Sequence, residues 1–350
     1  MSVQIILGDC RDMLKTLADE SVNTVVTSPP YFGLRDYGVD GQIGLESSPD
    51  AFIAEMQAVF REVRRVLRKD GTLWLNLGDS YVSSPPGNKE KPKDIDGVYG
   101  RRMDRQTGHG EDKAAIWGCG LSTGLPNKNL IGMPWRVALA LQADGWILRQ
   151  DIIWSKPNPM PESIQDRCTK SHEYIFLLSK SQRYHYDAAA IAEPVAPATV
   201  SRLAQDVESQ EVSHRVPGKT NGAMKAKAPR FGGQKYGDDV REQSRTKSGN
   251  EYTDTNGGMR NARSVWNIAT QPFSEAHFAT FPPELAERCI KAGCPEGGTV
   301  LDPFFGAGTT GLVADRLQRN CIGIELNPAY AEIARNRIFK DAGMFAEVQT

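Results

Sequence analysis

Thr27-Ser28-Pro29-Pro30-Tyr31 puts a hydroxyl, a proline-fixed carbonyl and an aromatic ring within one short stretch. Ser28 Oγ and the Pro29 carbonyl are acceptors, and Tyr31 is a flat stacking face. That set suits an exocyclic amino group on a planar heterocycle. The stretch directly follows Val22-Asn23-Thr24-Val25-Val26, a β-branched run that reads as a strand. Proline has no N–H and restricts the residue before it, so the strand must stop there. The stop leaves a stiff loop at the carboxyl end of a strand, where open α/β sheets bind ligands. A plain Pro-Pro turn capping a strand is the competing account of the same residues.

Near the other end, Val300-Leu301-Asp302-Pro303-Phe304-Phe305-Gly306-Ala307-Gly308-Thr309-Thr310-Gly311 carries a short apolar strand into a glycine-rich turn, and Leu312–Gln318 reads as the helix after it. Gly306-x-Gly308-x-x-Gly311 formally satisfies the dinucleotide fingerprint, and alone that match is weak. A dinucleotide enzyme needs several more βα units beyond it, whereas only about forty residues follow here. The next strand, Cys321-Ile322-Gly323-Ile324-Glu325, ends in an acid able to accept hydrogen bonds from ribose hydroxyls. A nucleoside-bearing cofactor therefore fits, and a dinucleotide half-domain does not.

Together these motifs resemble the amino-DNA methyltransferases of the β arrangement, which use S-adenosylmethionine to methylate cytosine N4 or adenine N6. In that family the (S/D/N)-P-P-(Y/F/W) motif precedes D-P-F-x-G-x-G-T, as Ser28–Tyr31 precedes Asp302–Thr309 here. Ile5-Ile6-Leu7-Gly8-Asp9-Cys10 resembles the family's acidic strand end, and His277-Phe278-Ala279-Thr280-Phe281-Pro282 the stretch before its cofactor helix. The resemblance covers roughly residues 1–83, 130–186 and 264–343. It implies an α/β fold: a Rossmann-like methyltransferase with a mostly parallel twisted sheet, helices on both faces, circularly permuted motif order and inserted DNA-recognition segments. The implied layout is a catalytic half at 1–83, an insertion at 84–129, a continuation of the sheet at 130–186, a target-recognition region at 187–263 and a cofactor-binding half at 264–343.

By the same resemblance Ser28, Pro29, Pro30 and Tyr31 are catalytic. Asp9 and Cys10 lie near the cofactor's adenine, Glu325 holds the ribose, and Asp302, Phe304, Gly306, Gly308 and Thr309 line the methionine part. Phe281 either packs beside the cofactor or is plain core. Arg35 and Tyr37 are candidates for holding the flipped strand or filling its vacated space. Serine at the first motif position, preceded by Val26-Thr27, resembles the cytosine-N4 subgroup; adenine N6 is the alternative. Ring-carbon methylation needs a cysteine nucleophile, and the chain has only the reversed pair Cys294-Pro295 at a helix end. A catalytically silent DNA-binding module is the non-enzymatic alternative.

The rest of the chain supplies the frame and the partners. Ser48-Pro49 is an N-cap with proline at N1. Phe52, Met56, Val59, Phe60, Val63 and Leu67 recur at helical spacing, Gly71 reads as the helix stop, and Thr72–Leu77 reads as a strand. Pro134–Ala143 and Pro283–Ala292 read as helices, Trp146–Ser155 and Glu173–Ser179 as strands, and Asn327-Pro328 as the cap of the last helix. The 350 residues carry a net charge of −1, but residues 212–263 carry +6, with Arg215, Lys219, Lys225, Lys227, Arg230 and Lys235 among their basic side chains. That segment has no Leu, Ile or Trp, too little apolar surface to order itself alone. Its bases suit phosphate contact, and a solvated loop is the alternative. Six scattered cysteines without a CxxC pair or Cys/His cluster read as reduced thiols, with no metal expected. No apolar run approaches the ~20 residues that span a bilayer. The expected partner is double-stranded DNA, with a cognate restriction endonuclease as a candidate companion; no membrane association, a cytoplasmic location, and a monomer or homodimer are expected.

Overall fold

The structure is a computed structural model that describes residues 2–82, 123–196, 259–271, 281–342 and 347–349. Along the chain these form β1 (Ser2–Leu7), α1 (Cys10–Thr16), β2 (Val22–Thr27), α2 (Pro49–Val66), β3 (Leu67–Leu77), α3 (Met133–Ala143), β4 (Ile147–Ser155) and β5 (His172–Ser179). After them come β6 (Glu193–Pro194), β7 (Met259–Arg260), β8 (Val265–Asn267), α4 (Pro283–Gly293), β9 (Thr299–Asp302), α5 (Thr309–Arg316), β10 (Asn320–Glu325), α6 (Pro328–Ala342) and β11 (Glu347–Gln349). Two units emerge: Met1–Ile191 with Arg263–Thr350, and Ala192–Ala262. Within the second, β6 and β7 pair antiparallel, Glu193 opposite Arg260, and their side chains form an ion pair at 3.3 Å.

The first unit is built on one sheet in the order β11-β1-β10-β9-β2-β3-β5-β4-β8. Every neighbouring pair is parallel except those made by β5, which runs antiparallel between β3 and β4. Helices cover both faces, so successive strand residues enter opposite cores and the central strands are largely apolar. On one face Phe52, Met56, Phe60 and Val63 of α2, with Leu14 of α1 and Val137 and Leu141 of α3, pack on Val25, Leu73 and Leu75. On the other, Leu285 and Ile290 of α4, Leu312 and Val313 of α5, and Ala334 and Ile338 of α6 pack on Val26, Trp74 and Val300. This is the α/β layering that the family resemblance implies.

Ser48 Oγ accepts from Ala51 N at 3.2 Å and Asn327 Oδ1 from Ala329 N at 2.9 Å, so both expected caps form. Two helices differ from expectation, and the one after the glycine-rich turn spans Thr309–Arg316 rather than 312–318. The helix after Ser48 ends at Val66 rather than at Gly71, and β3 begins at once with Leu67. Gly71 lies inside that strand, where a side chain would strike Leu67 and the Asn23 carbonyl. Its glycine serves close strand packing beside the register shift between Val22 and Thr24, not a helix stop.

The order β10-β9-β2-β3 creates the switch point. From β9 the chain leaves through α5 on one face, and from β2 through α2 on the other. Their carboxyl ends are therefore side by side with room above them, the ordinary place for a ligand in such a sheet.

Candidate functional site

At the switch point the two distant motifs meet. Thr27, the last residue of β2, donates its hydroxyl to Asp302 Oδ1 of β9 at 2.7 Å across 275 residues of chain. The Asp302 carboxylate also accepts from Thr310 Oγ1 at 2.7 Å and from the Phe304 amide at 3.1 Å. It is 1% exposed, and burial pushes its pKa from 3.8 up to about 7 against the pull of those bonds. Asp302 thus stands behind the site and ties its two loops together.

In front of it lies a cleft open to solvent. Gly8, Asp9 and Cys10 form one part of its wall, Ser28 and Pro30 another, and Phe304 through Ala307 with Thr309 a third. Glu325, Asn327 and Tyr330 close it from β10 and α6, while Phe281 and the loop residues Tyr37, Val39, Gly41, Gln42 and Ile43 complete it.

The glycine-rich turn is shaped by its backbone. Gly308 caps α5 at φ +74°, and a Cβ there would lie 2.8 Å from that of Ala334. Only glycine fits both conditions. Glu325 stitches the turn to the end of β10: its carboxylate accepts from Gly306 N at 2.7 Å and Asn327 N at 2.8 Å, and burial raises its pKa. Arg337 holds the turn from outside, donating to the Ala307 carbonyl and to Thr309 Oγ1.

Asp9 is the N-cap of α1, its Oδ1 accepting from Arg11 N at 2.8 Å. Both carboxylate oxygens are also held by the Arg11 guanidinium, which reaches on to the Gly41 carbonyl at 2.7 Å. Burial works to raise the Asp9 carboxyl, but Arg11 outweighs it and keeps it below the ordinary value. Tyr37 meets the edge of Tyr330 at 6.4 Å between centroids, and burial lifts both phenols, Tyr330 to about 12. Gln42 accepts from Tyr37 N and donates to the Arg35 carbonyl, bracing this loop.

A family model described as DNA methylase, for the N6/N4 methyltransferases, matches residues 22–336. The chain belongs to this family. The type II methyltransferase M.SmaI of Serratia marcescens is 42% identical over 97% of this chain and 91% of its own length, and M.Cfr9I of Citrobacter freundii is 42% identical over 95% and 86%. Among solved structures, a putative DNA modification methylase of Thermus thermophilus complexed with S-adenosyl-L-methionine superposes at TM-score 0.54 with 22% identity, covering 100% of this chain and 98% of that one. The cytosine-N4-specific PvuII DNA methyltransferase gives TM-score 0.58 at 17% identity, covering 96% and 86%. At these identities both show the fold.

Measured against the residues expected from sequence, the methyltransferase brings Asp9, Cys10, Ser28, Pro30, Phe281, Phe304, Gly306, Thr309 and Glu325 to one cleft, with Tyr37 in the same wall. Asp302 and Gly308 support that wall from behind. Pro29 is buried, and Tyr31 is half-buried beside the cleft lining, its hydroxyl held by Glu173 and Asn76. Arg35 sits in the Tyr37 loop. Arg215, Lys219, Lys225, Lys227, Arg230 and Lys235, most of the 84–129 insertion, Cys119 and His277–Thr280 lie outside the described residues. The Cys294 thiol is buried, and its pKa is driven up to about 12, as is that of Cys10, so neither is a ready nucleophile. Among the described residues no cluster of His, Cys, Asp or Glu could hold a metal ion, and no helix is long and apolar enough to cross a membrane. Thr27, Thr310 and Arg337 escaped the sequence reading. Thr27 and Thr310 stand within the two motifs themselves, and nothing in the sequence marks Arg337.

Proposed function

We propose that the protein transfers a methyl group from S-adenosylmethionine to cytosine N4 in duplex DNA, the target base being swung out of the helix into the site. The observation that carries this reading is the Thr27–Asp302 hydrogen bond, which sets Ser28 into the wall of the same cleft as Gly306 and Glu325.

The cleft suits the donor. The backbone of the glycine-rich turn offers close approach to the methionine part, and Glu325 offers carboxylate lone pairs to ribose hydroxyls. Gly8, Asp9 and Cys10 flank the place for adenine. When bound, S-adenosylmethionine supplies an electrophilic methyl group whose sulfonium leaves as a neutral thioether. The chain's own residues prepare the acceptor. An aromatic amine is a poor nucleophile because its lone pair delocalises into the ring. Ser28 Oγ and the Pro29 carbonyl, accepting hydrogen bonds from the NH2, localise that pair and meet the positive charge that develops on nitrogen. Holding both reactants in one geometry supplies much of the remaining acceleration. Extruding the base costs a few kcal/mol, and stacking on Tyr31 returns about 1–3 kcal/mol. The high thiol pKa values at Cys10 and Cys294 speak against a covalent ring-carbon route through either.

Serine at the head of the motif favours cytosine over adenine. The basic segment 212–263 supplies phosphate contacts. The type II names of the relatives support a place in a restriction-modification pair, its endonuclease the companion, in the cytoplasm. Methylating duplex DNA, digesting it to nucleosides and weighing the products tests the reading. N4-methyldeoxycytidine is expected. N6-methyldeoxyadenosine would move the reaction to adenine, and unlabelled DNA would reduce the chain to a binding module.

A further inference from the structure

Residues from two other strands converge on the hydroxyl of Tyr31, and a third strand end supports them. Tyr31 OH donates to Glu173 Oε2 at 2.7 Å. Asn76 Nδ2 donates to the same carboxylate oxygen at 2.8 Å and to the phenol oxygen at 3.1 Å. The other carboxylate oxygen, Glu173 Oε1, pairs with Lys156 Nζ, and both side chains are less than one-fifth exposed, at 15% and 19%. Lys156 Nζ in turn lies 4.3 Å from the centroid of the Trp154 ring. Ser28 Oγ stands 3.5 Å from the Tyr31 hydroxyl.

Sheet topology explains the meeting. Because β5 is antiparallel to its neighbours, its first residues lie at the carboxyl ends of β3 and β4: Tyr174 is opposite Leu77, and Glu173 opposite Trp154. That is also the end of the sheet where β2 delivers Ser28–Tyr31. The ring rests on Gly78, where a Cβ would come within 2.5 Å of Tyr31 Cε2. One side of the ring is thus limited by backbone, and its tip is pinned by the carboxylate. The Tyr31 phenol is held well above its ordinary pKa, first by burial and then by the Glu173 charge, so it remains a donor at neutral pH.

A buried ion pair is a poor source of stability, since removing two charges from water offsets most of their attraction. Its value here is direction. We propose that Glu173 is a positioning residue of methyl transfer: by holding the Tyr31 hydroxyl, with Lys156 and Asn76 holding Glu173, it fixes the ring face on which the target base stacks. The inference rests on the reading that the Ser28–Tyr31 loop receives the base. Misplacement of a reacting group by about 1 Å costs on the order of 10²-fold in rate, which sets the effect to look for.

The test compares Glu173→Ala, Glu173→Gln, Tyr31→Phe and the Tyr31→Phe/Glu173→Ala double variant in the full chain. Turnover on duplex DNA, KM for DNA and the dissociation constant of S-adenosylmethionine are measured. Glu173→Ala should lower kcat about 100-fold with cofactor affinity within about threefold of wild type. Glutamine, whose carbonyl still accepts from the phenol but whose NH2 cannot pair with Lys156, should recover part of that loss. The double variant should be no slower than the slower single variant, because both remove one interaction. Wild-type turnover in Glu173→Ala overturns the proposal, as do losses that multiply in the double variant. Tyr31→Phe guards against misfolding at position 173, since it keeps the packing and deletes only the bonded hydroxyl; wild-type turnover there also overturns it. Ser28→Ala run alongside separates the two levels: full activity in that variant sinks the reading of the loop itself, whereas loss there with normal Glu173 variants sinks only the positioning role.

Discussion

Replacing Asp302 with asparagine asks how the carboxylate that joins the two loops is ionised. Its three hydrogen bonds favour the charged form, yet burial dominates and carries the pKa from 3.8 to about 7. A group whose pKa rises on folding stabilises the fold fully below its unfolded pKa and loses that contribution as pH climbs through the folded one. The shift of about three units corresponds to about 4 kcal/mol in all, of which about 2–3 kcal/mol is lost between pH 5 and 8. Asparagine keeps the shape and removes the titration. Its carbonyl oxygen replaces Oδ1 toward Thr27 and Phe304. Its NH2 donates to Thr310 Oγ1, whose own proton then turns to the Val26 carbonyl at 3.4 Å. Urea unfolding of the ligand-free proteins across pH 5–8 should show wild type losing about 2–3 kcal/mol relative to Asp302→Asn. Parallel curves would mean that the carboxylate is charged throughout, and the account of burial at the switch point would be wrong.

Other outcomes follow from the same geometry. Ser28→Ala should lower turnover on the order of 10²-fold or more while cofactor affinity, read by titration calorimetry, stays near wild type; equal loss of both would place Ser28 in the donor site instead. Deleting 212–263 should abolish duplex binding in gel-shift assays and spare cofactor binding, because the phosphate contacts are assigned to that segment; undiminished DNA affinity would refute the assignment. Gly308→Ala, forced to positive φ and against Ala334, should destabilise by about 1–3 kcal/mol in thermal or urea unfolding, and a neutral substitution would show that the turn relaxes freely.

Local chemistry was legible in the sequence wherever one stretch of chain contains the whole signal. The proline stop after Val26, the Ser48 and Asn327 caps and the glycine turn at 306–308 each form from adjacent residues, and each stands where its pattern put it. Relations between strands were less accessible. Nothing within Glu173–Ser179 reveals that this strand runs against its neighbours, so nothing there places Glu173 beside Tyr31. A charged residue opening an apolar strand, and a lone asparagine near the end of Thr72–Leu77, were the available hints. Gly71 misled because a glycine after an amphipathic run serves a helix end or a tight strand approach equally well, and only the neighbouring Asn23 carbonyl decides. The Arg11 grip on Asp9 was likewise invisible as a competitor for the carboxylate, although the two lie within one helical turn.

The place of β9 and β10 in the sheet has a bearing on biosynthesis. They sit between β1 and β2, so these two strands cannot pair directly and must await partners made much later in the chain. Until then a nascent chain on the ribosome exposes the apolar flanks and unpaired edges of both, a state prone to sticking and to capture by chaperones. Thr27 has no Asp302 to bond to during that interval. The cleft is therefore complete only once β9, α5 and β10 have taken their places.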